Sequence, residues 1–316
     1  MLDAFNRNID YLRISVTDLC NYRCQYCMPA SGIGRRLHEE ILSFEEIVEI
    51  TEAGAKCGIQ KIRLTGGEPL VRKGILSLVE QLGAISSIRD FSMTTNGALL
   101  ADKAAALKRA GLDRVNISLD TLREDRFRRV TRGGCLADVL AGIDAALEAN
   151  LVPVKINTVL IRGFNEDEIP DLVRLTSRMP VEVRFIELMP IGQAEDSFSA
   201  SWLPADQVCQ TVPGLEETEP DGGVAVRFRL PDAPGTVGLI RPLSCRFCDT
   251  CNRIRLTSDG KLKPCLHSSE EFPLRGLHGE ALENQIRRAV ISKPLHHHLR
   301  ETGESQSRRN MNEIGG

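Results

Sequence analysis

Apolar positions along the chain fall into short β-branched runs that alternate with stretches of helical period. The runs 12–16, 61–64, 90–93, 114–119, 154–161 and 181–187 read as strands, and the stretches 44–57, 75–82, 103–110, 136–149 and 167–178 between them carry the helical pattern. Six strands joined through helices predict right-handed crossovers and a parallel sheet, either doubly wound or curled into a partial barrel. In both arrangements the chemistry belongs where the strands end. After Met189-Pro190 the pattern breaks into turn-rich sequence, with strand-like pieces at 225–230 and 254–257. A domain boundary therefore falls near residue 190, dividing 1–190 from 191–316. The polar residues 304–316 have the composition of a mobile tail.

A chain of 316 residues, 42% apolar and 26% charged, can bury one large α/β core with an appended part, which excludes global disorder. Its 40 basic and 43 acidic residues leave a formal charge of -3, so no bulk attraction draws it to nucleic acid or anionic lipid. The first seven residues lack the basic start and apolar run of a signal peptide, and no later stretch is apolar long enough for a bilayer. The expectation is a soluble, cytoplasmic protein with no membrane partner.

Ten cysteines without an export signal point to metal or redox chemistry rather than disulfides. Cys20, Cys24 and Cys27 follow the first strand directly. Three thiolates can hold a four-iron cubane with one iron left open. Such an iron can bind the amino and carboxylate groups of S-adenosylmethionine and pass an electron to its sulfonium, releasing a 5'-deoxyadenosyl radical. Zinc is the competing reading, but three thiols without a nearby fourth suit closed tetrahedral zinc poorly. Thr65-Gly66-Gly67-Glu68-Pro69, Thr94-Thr95-Asn96-Gly97 and Asn116-Ile117-Ser118-Leu119-Asp120 end the next three strands and offer hydroxyl, amide and backbone groups to a nucleoside.

Cys248, Cys251 and Cys265 form a second three-thiol set, interrupted by a strand in which alternation puts Arg253 and Arg255 on one face. Two guanidiniums beside a metal can grip a polyphosphate. A zinc ribbon completed by Cys245 competes here. His267 and the run His296-His297-His298 read as solvated, and Cys57, Cys135 and Cys209 as small buried hydrophobes.

The spacing Cys-x3-Cys-x-aromatic-Cys, with Tyr26 as the aromatic, resembles the radical S-adenosylmethionine superfamily. Segments 13–21, 62–70, 184–192 and 251–255, with the terminal Gly315-Gly316, resemble the GTP 3',8-cyclase family of molybdenum cofactor biosynthesis over essentially the whole length. That resemblance implies a partial (β/α)6 TIM-like barrel and a C-terminal domain carrying a second cluster. The implied cofactors are two 4Fe-4S clusters and S-adenosyl-L-methionine, the latter contacted by Tyr26, Gly67, Ser118 and Met189. GTP would contact Arg13, Arg63, Thr94, Lys155, Arg253, Ile254 and Arg255. Arg184, Gly315 and Gly316 would join the catalytic set. The implied reaction removes the ribose 3' hydrogen, joins C3' to guanine C8 and gives 3',8-cyclo-7,8-dihydroguanosine triphosphate. Implied partners are cyclic pyranopterin monophosphate synthase downstream, an electron donor such as flavodoxin or ferredoxin, and a second copy in a homodimer. The competing functions are a radical maturase of peptides or cofactors, which has no need of the paired arginines, and a non-catalytic iron-sulfur carrier, which has no need of the barrel.

Overall fold

The computed structural model describes residues 1–34, 36–220, 222–299 and 304–315. Strands β1 (Tyr11–Ser15), β2 (Lys61–Thr65), β3 (Asp90–Thr95), β4 (Arg114–Ser118), β5 (Val154–Leu160) and β6 (Val181–Glu187) pair in parallel, each with the next. Between them run α1 (Phe44–Lys56), α2 (Ile75–Gly83), α3 (Ala104–Arg109), α4 (Glu124–Thr131), α5 (Leu136–Glu148) and α6 (Ile169–Arg178). Each expected strand is present within a residue or two. Alternation along them is strict: Leu12, Ile14, Ile62, Leu64, Val115, Ile117, Ile156 and Val183 belong to one buried apolar core, and the residues between them line the concave face.

Later strands extend this sheet at both edges. Past β6 lie β9 (Thr236–Ile240), parallel to it, and then the antiparallel β8 (Val226–Arg229) and β7 (Glu216–Glu217). Past β1 lie β10 (Arg253–Leu256), parallel to it, and then the antiparallel β11 (Lys261–Lys263) and β12 (Phe272–Pro273). The result is a twelve-stranded open sheet, so a boundary near residue 190 divides the chain but not the sheet. Several elements escaped the sequence pattern, among them these three. The helix α4 buries only Phe127, Val130 and Thr131 among charged neighbours, β9 sits next to a turn-rich segment, and a helix Gly279–Ile291 packs against α1.

Local signals fix the first crossover. Ser43 accepts from the Glu46 amide at 3.2 Å while Glu46 accepts from the Ser43 amide at 2.7 Å, a reciprocal cap that starts α1.

Candidate active site

The loop after β1 carries Cys20, Cys24 and Cys27, and the turn after β2 holds it in place. Gly67 donates its amide to Thr17 O at 2.7 Å and Glu68 donates to Leu19 O at 2.8 Å. A Cβ on Gly67 would lie 2.4 Å from Leu19 O, and one on Gly66, whose φ is +150°, 2.4 Å from Thr17 O. These glycines are therefore required first by the closeness of two backbones. The Glu68 side chain, whose carboxyl burial pushes up to about 7, accepts from Thr95 Oγ1 at 2.7 Å and from the Asn96 amide at 2.6 Å, tying the β3 turn to the same loop. Asn96 Nδ2 then donates to Asn21 at 2.8 Å, beside Cys20. Three strand ends thus converge on one thiol loop.

Burial pushes the Cys20 thiol up to about 11 and Cys27 up to about 12, and raises Cys24 as well. A bare thiolate is costly in such a place, whereas a thiolate bound to iron is neutralised by the metal, so these donors suit a buried cluster. The phenol of Tyr26 donates to Asp120 Oδ2 at 2.6 Å and fixes the far side of the loop.

The concave face encloses a cavity of about 630 Å³ lined by both cysteine sets, Cys20, Cys24, Cys27 and Cys248, Cys251, Cys265. Between them stand Arg13, Arg63, Arg253 and Arg255. Strand register brings Arg13 level with Arg63 on one side and Arg255 on the other. Burial, followed by mutual repulsion, holds Arg13 well below the ordinary arginine range. Arg63 and Arg255 are lowered to about 10, again by burial first. Lys155 falls to about 8 through burial and the Arg184 charge, although Glu182 lies 3.2 Å from its Nζ and 2.5 Å from Arg184 Nε. Cations that depress one another need an anion. Thr94 Oγ1, Asn116 Nδ2 and Asn157 Oδ1 are buried on this cavity and have no hydrogen-bond partner among the described residues, so it also has polar groups to offer a ligand.

The C-terminal segment reaches the cavity. A short helix, Met311–Ile314, brings Met311 and Asn312 to the cavity, and Asn312 Nδ2 donates to Asp18 O at 3.2 Å. Arg309 anchors it, with Nε 2.5 Å from Glu271 and Nη2 2.9 Å from Asp259. Gly315 is buried with φ +77°, its carbonyl accepts from Arg255, and a Cβ there would overlap Thr65 Oγ1 at 2.0 Å. Gly316 lies outside the described residues.

Of the residues expected at the site, Tyr26, Gly67, Ser118, Met189, Arg13, Arg63, Thr94, Lys155, Arg184, Arg253 and Arg255 all line the cavity. Ile254 does not: its side chain, 1% exposed, faces the apolar core, as alternation between two inward arginines requires. Cys245 is exposed and away from the cavity lining. His267 and His297 are buried rather than solvated, packed edge to face with centroids 4.9 Å apart. Cys57 is buried as expected, but Cys135 is exposed at the start of α5 and Cys209 only half-buried. The sequence pattern gave no notice of Arg114, Asn157 or Lys293 on the lining, since isolated residues at alternate strand positions carry no motif.

A curled parallel sheet with three thiols on its first loop, clamped by a glycine-rich turn, is the framework of a radical S-adenosylmethionine enzyme. Residues 14–176 match the Radical SAM superfamily, and residues 181–299 match Molybdenum Cofactor Synthesis C. The fold is shared with Streptococcus suis SuiB, solved bound to S-adenosylmethionine, at a TM-score of 0.61 and 14% identity over 93% of this chain and 68% of that one. GTP 3',8-cyclases of Alkaliphilus metalliredigens and Moorella thermoacetica are each 49% identical to this chain, with all of both chains covered. That of Peptoclostridium acidaminophilum is 50% identical over all of this chain and 98% of its own. The chain belongs to the GTP 3',8-cyclase family. Among the described residues no helix is long and apolar enough to cross a membrane.

Proposed function

We propose that this protein cyclises GTP to (8S)-3',8-cyclo-7,8-dihydroguanosine 5'-triphosphate, the first step of molybdenum cofactor biosynthesis, with its residues in the following roles. Cys20, Cys24 and Cys27 hold one 4Fe-4S cluster, and Cys248, Cys251 and Cys265 hold the other. When bound, the first cluster and S-adenosylmethionine supply a 5'-deoxyadenosyl radical at the strand ends. Tyr26, Gly67, Ser118 and Met189 border the space for S-adenosylmethionine. Arg13, Arg63, Arg253 and Arg255 take the triphosphate, aided by Lys155 and Arg184, with Thr94 as a hydroxyl donor. For a nucleotide held between the two thiol sets, fixed distance between ribose and base is what this chain contributes to the rate. The barrel 1–190 and the segment 191–316 each supply one thiol set. Cyclic pyranopterin monophosphate synthase takes the product, a flavodoxin or ferredoxin supplies electrons, the protein works in the cytoplasm, and a homodimer is its proposed assembly.

The observation that carries this reading is the group of arginines, Arg13, Arg63, Arg253 and Arg255, that lines one cavity together with both cysteine triads. Anaerobically reconstituted protein, given dithionite, S-adenosylmethionine and GTP labelled with deuterium at C3', should yield a cyclised nucleotide and deuterium in 5'-deoxyadenosine. Unlabelled deoxyadenosine, or equal turnover of ATP, would overturn it.

A further inference from the structure

Beside the first cysteine loop the surface carries a charge that the site itself does not use. Helix α4 ends in the sequence Arg128-Arg129-Val130-Thr131-Arg132, and this end is bonded directly to the loop. Arg23 donates its amide to Thr131 O at 3.0 Å and Gln25 donates to Val130 O at 2.9 Å, so both backbone neighbours of Cys24 rest on α4. In return Arg132 Nη1 reaches Arg23 O at 2.8 Å and Met28 O at 2.9 Å.

Arg23, Arg128, Arg129 and Arg132 are all exposed. The other arginines of the region are neutralised: Arg126 by Asp167 and Glu168, Arg123 by Asp125 and Asp167, Arg36 by Asp18, Asp259 and Glu313. Among the described residues no carboxylate pairs with the four exposed ones; Arg23 and Arg132 hold carbonyl oxygens, which leave the charge uncompensated. Around the second thiol set the charges are mixed, Asp249 and Glu270 being exposed and acidic while the half-buried Arg246 stands two residues before Cys248. A chain with net charge -3 repels an acidic protein on average, so a local patch of four cations is what selects where such a protein lands.

We propose that this arginine patch on α4 and the cysteine loop is the docking surface for an acidic one-electron carrier protein, placed there so that the electron enters through the loop holding Cys20, Cys24 and Cys27. The proposal rests on the radical reading of that loop. In the transfer, one electron leaves a reduced flavin hydroquinone, which becomes the semiquinone, and enters the oxidised cluster; no atom is exchanged and no bond forms. The carrier is met at α4 and not at the second thiol set.

The test uses the full reconstituted protein with Arg128→Glu/Arg129→Glu, and Arg128→Ala/Arg129→Ala as a milder pair, neither residue being part of the cavity. Two readouts are needed: the Kd for oxidised flavodoxin by calorimetry at 20 and at about 200 mM salt, and S-adenosylmethionine cleavage driven by flavodoxin hydroquinone or by dithionite. The charge reversal should weaken flavodoxin binding at least tenfold, and the alanine pair less. Wild-type affinity should fall as salt rises, and dithionite-driven cleavage should be unchanged. Unchanged flavodoxin affinity in the reversed variant, or wild-type affinity indifferent to salt, would overturn the docking surface. Equal loss with dithionite would show that the arginines only hold the loop. Absence of cleavage by wild type with either reductant would instead strike at the radical reading itself.

Discussion

Lys155 shows how much a single charged residue owes to its surroundings. Its β5 position aims it inward, and burial together with Arg184 lowers its ammonium to about 8 against the partial support of Glu182. A lysine lowered this far is protonated below about pH 8 and loses its charge above it, whereas a bound triphosphate holds the proton on. GTP affinity should therefore be nearly flat from pH 6.5 to 7.5 and weaken above pH 8, by at most about tenfold per pH unit. Calorimetric titrations of wild type and Lys155→Met across pH 6.5 to 9 check this; the variant should bind more weakly throughout and lose the alkaline fall. If wild type and variant decline in parallel, Lys155 is not the titrating group. At the same scale Arg253 and Arg255 were legible, because a strand's period of two puts both on one face. The same rule sends Ile254 to the other side, where it packs in the core.

At the scale of elements, the first thiol loop depends on the turn after β2 more than on its own sequence. Replacing Gly67 by Ala places a methyl 2.4 Å from Leu19 O and 2.5 Å from Asp18 O, both backbone atoms that cannot swing aside. The expected cost is about 1–3 kcal/mol of overpacking, released by displacing the loop. Reconstituted Gly67→Ala should then fall from about eight irons per chain toward about four, since the second thiol set is on other elements. Full iron content in this variant would mean that the loop yields without losing its ligand geometry. The sequence marked this turn as glycine-rich, but it did not say that the glycines face the cysteine loop. That contact lies between residues 66–67 and 17–19, and it depends on β1 and β2 being neighbours in the sheet. Helix α4 was missed for a related reason: most of its surface is charged, and its apolar face appears only once Phe127 and Val130 are seen to pack.

Across the whole molecule, the chain returns to its beginning. Strand β10 pairs with β1, Arg7 Nη1 donates to Cys248 O at 2.9 Å, and the terminal segment ends on β1, β2 and β10. Polar composition marked residues 304–316 as tail-like, yet Arg309 is locked to Glu271 and Asp259, and Gly315 sits against Thr65 and Arg255. Gly315→Ala should push the end out of the cavity through both its φ of +77° and its clash with Thr65. We expect at least a tenfold loss of GTP turnover with both clusters and reductive S-adenosylmethionine cleavage retained; unchanged turnover would leave the tail without a role in cyclisation. The sequence by itself determined the thiol sets, the strand-helix order and the inward direction of the arginines, because ligand spacing and side-chain alternation are local properties of the chain. The tertiary structure decided that two thiol sets more than two hundred residues apart share one cavity, that Arg13, Arg63 and Arg255 from β1, β2 and β10 are held low there by burial and neighbouring charge, and that the chain's end packs Gly315 against Thr65 and Arg255. Those facts follow from strand pairing between distant segments, which brings charge and backbone together at distances no local pattern encodes.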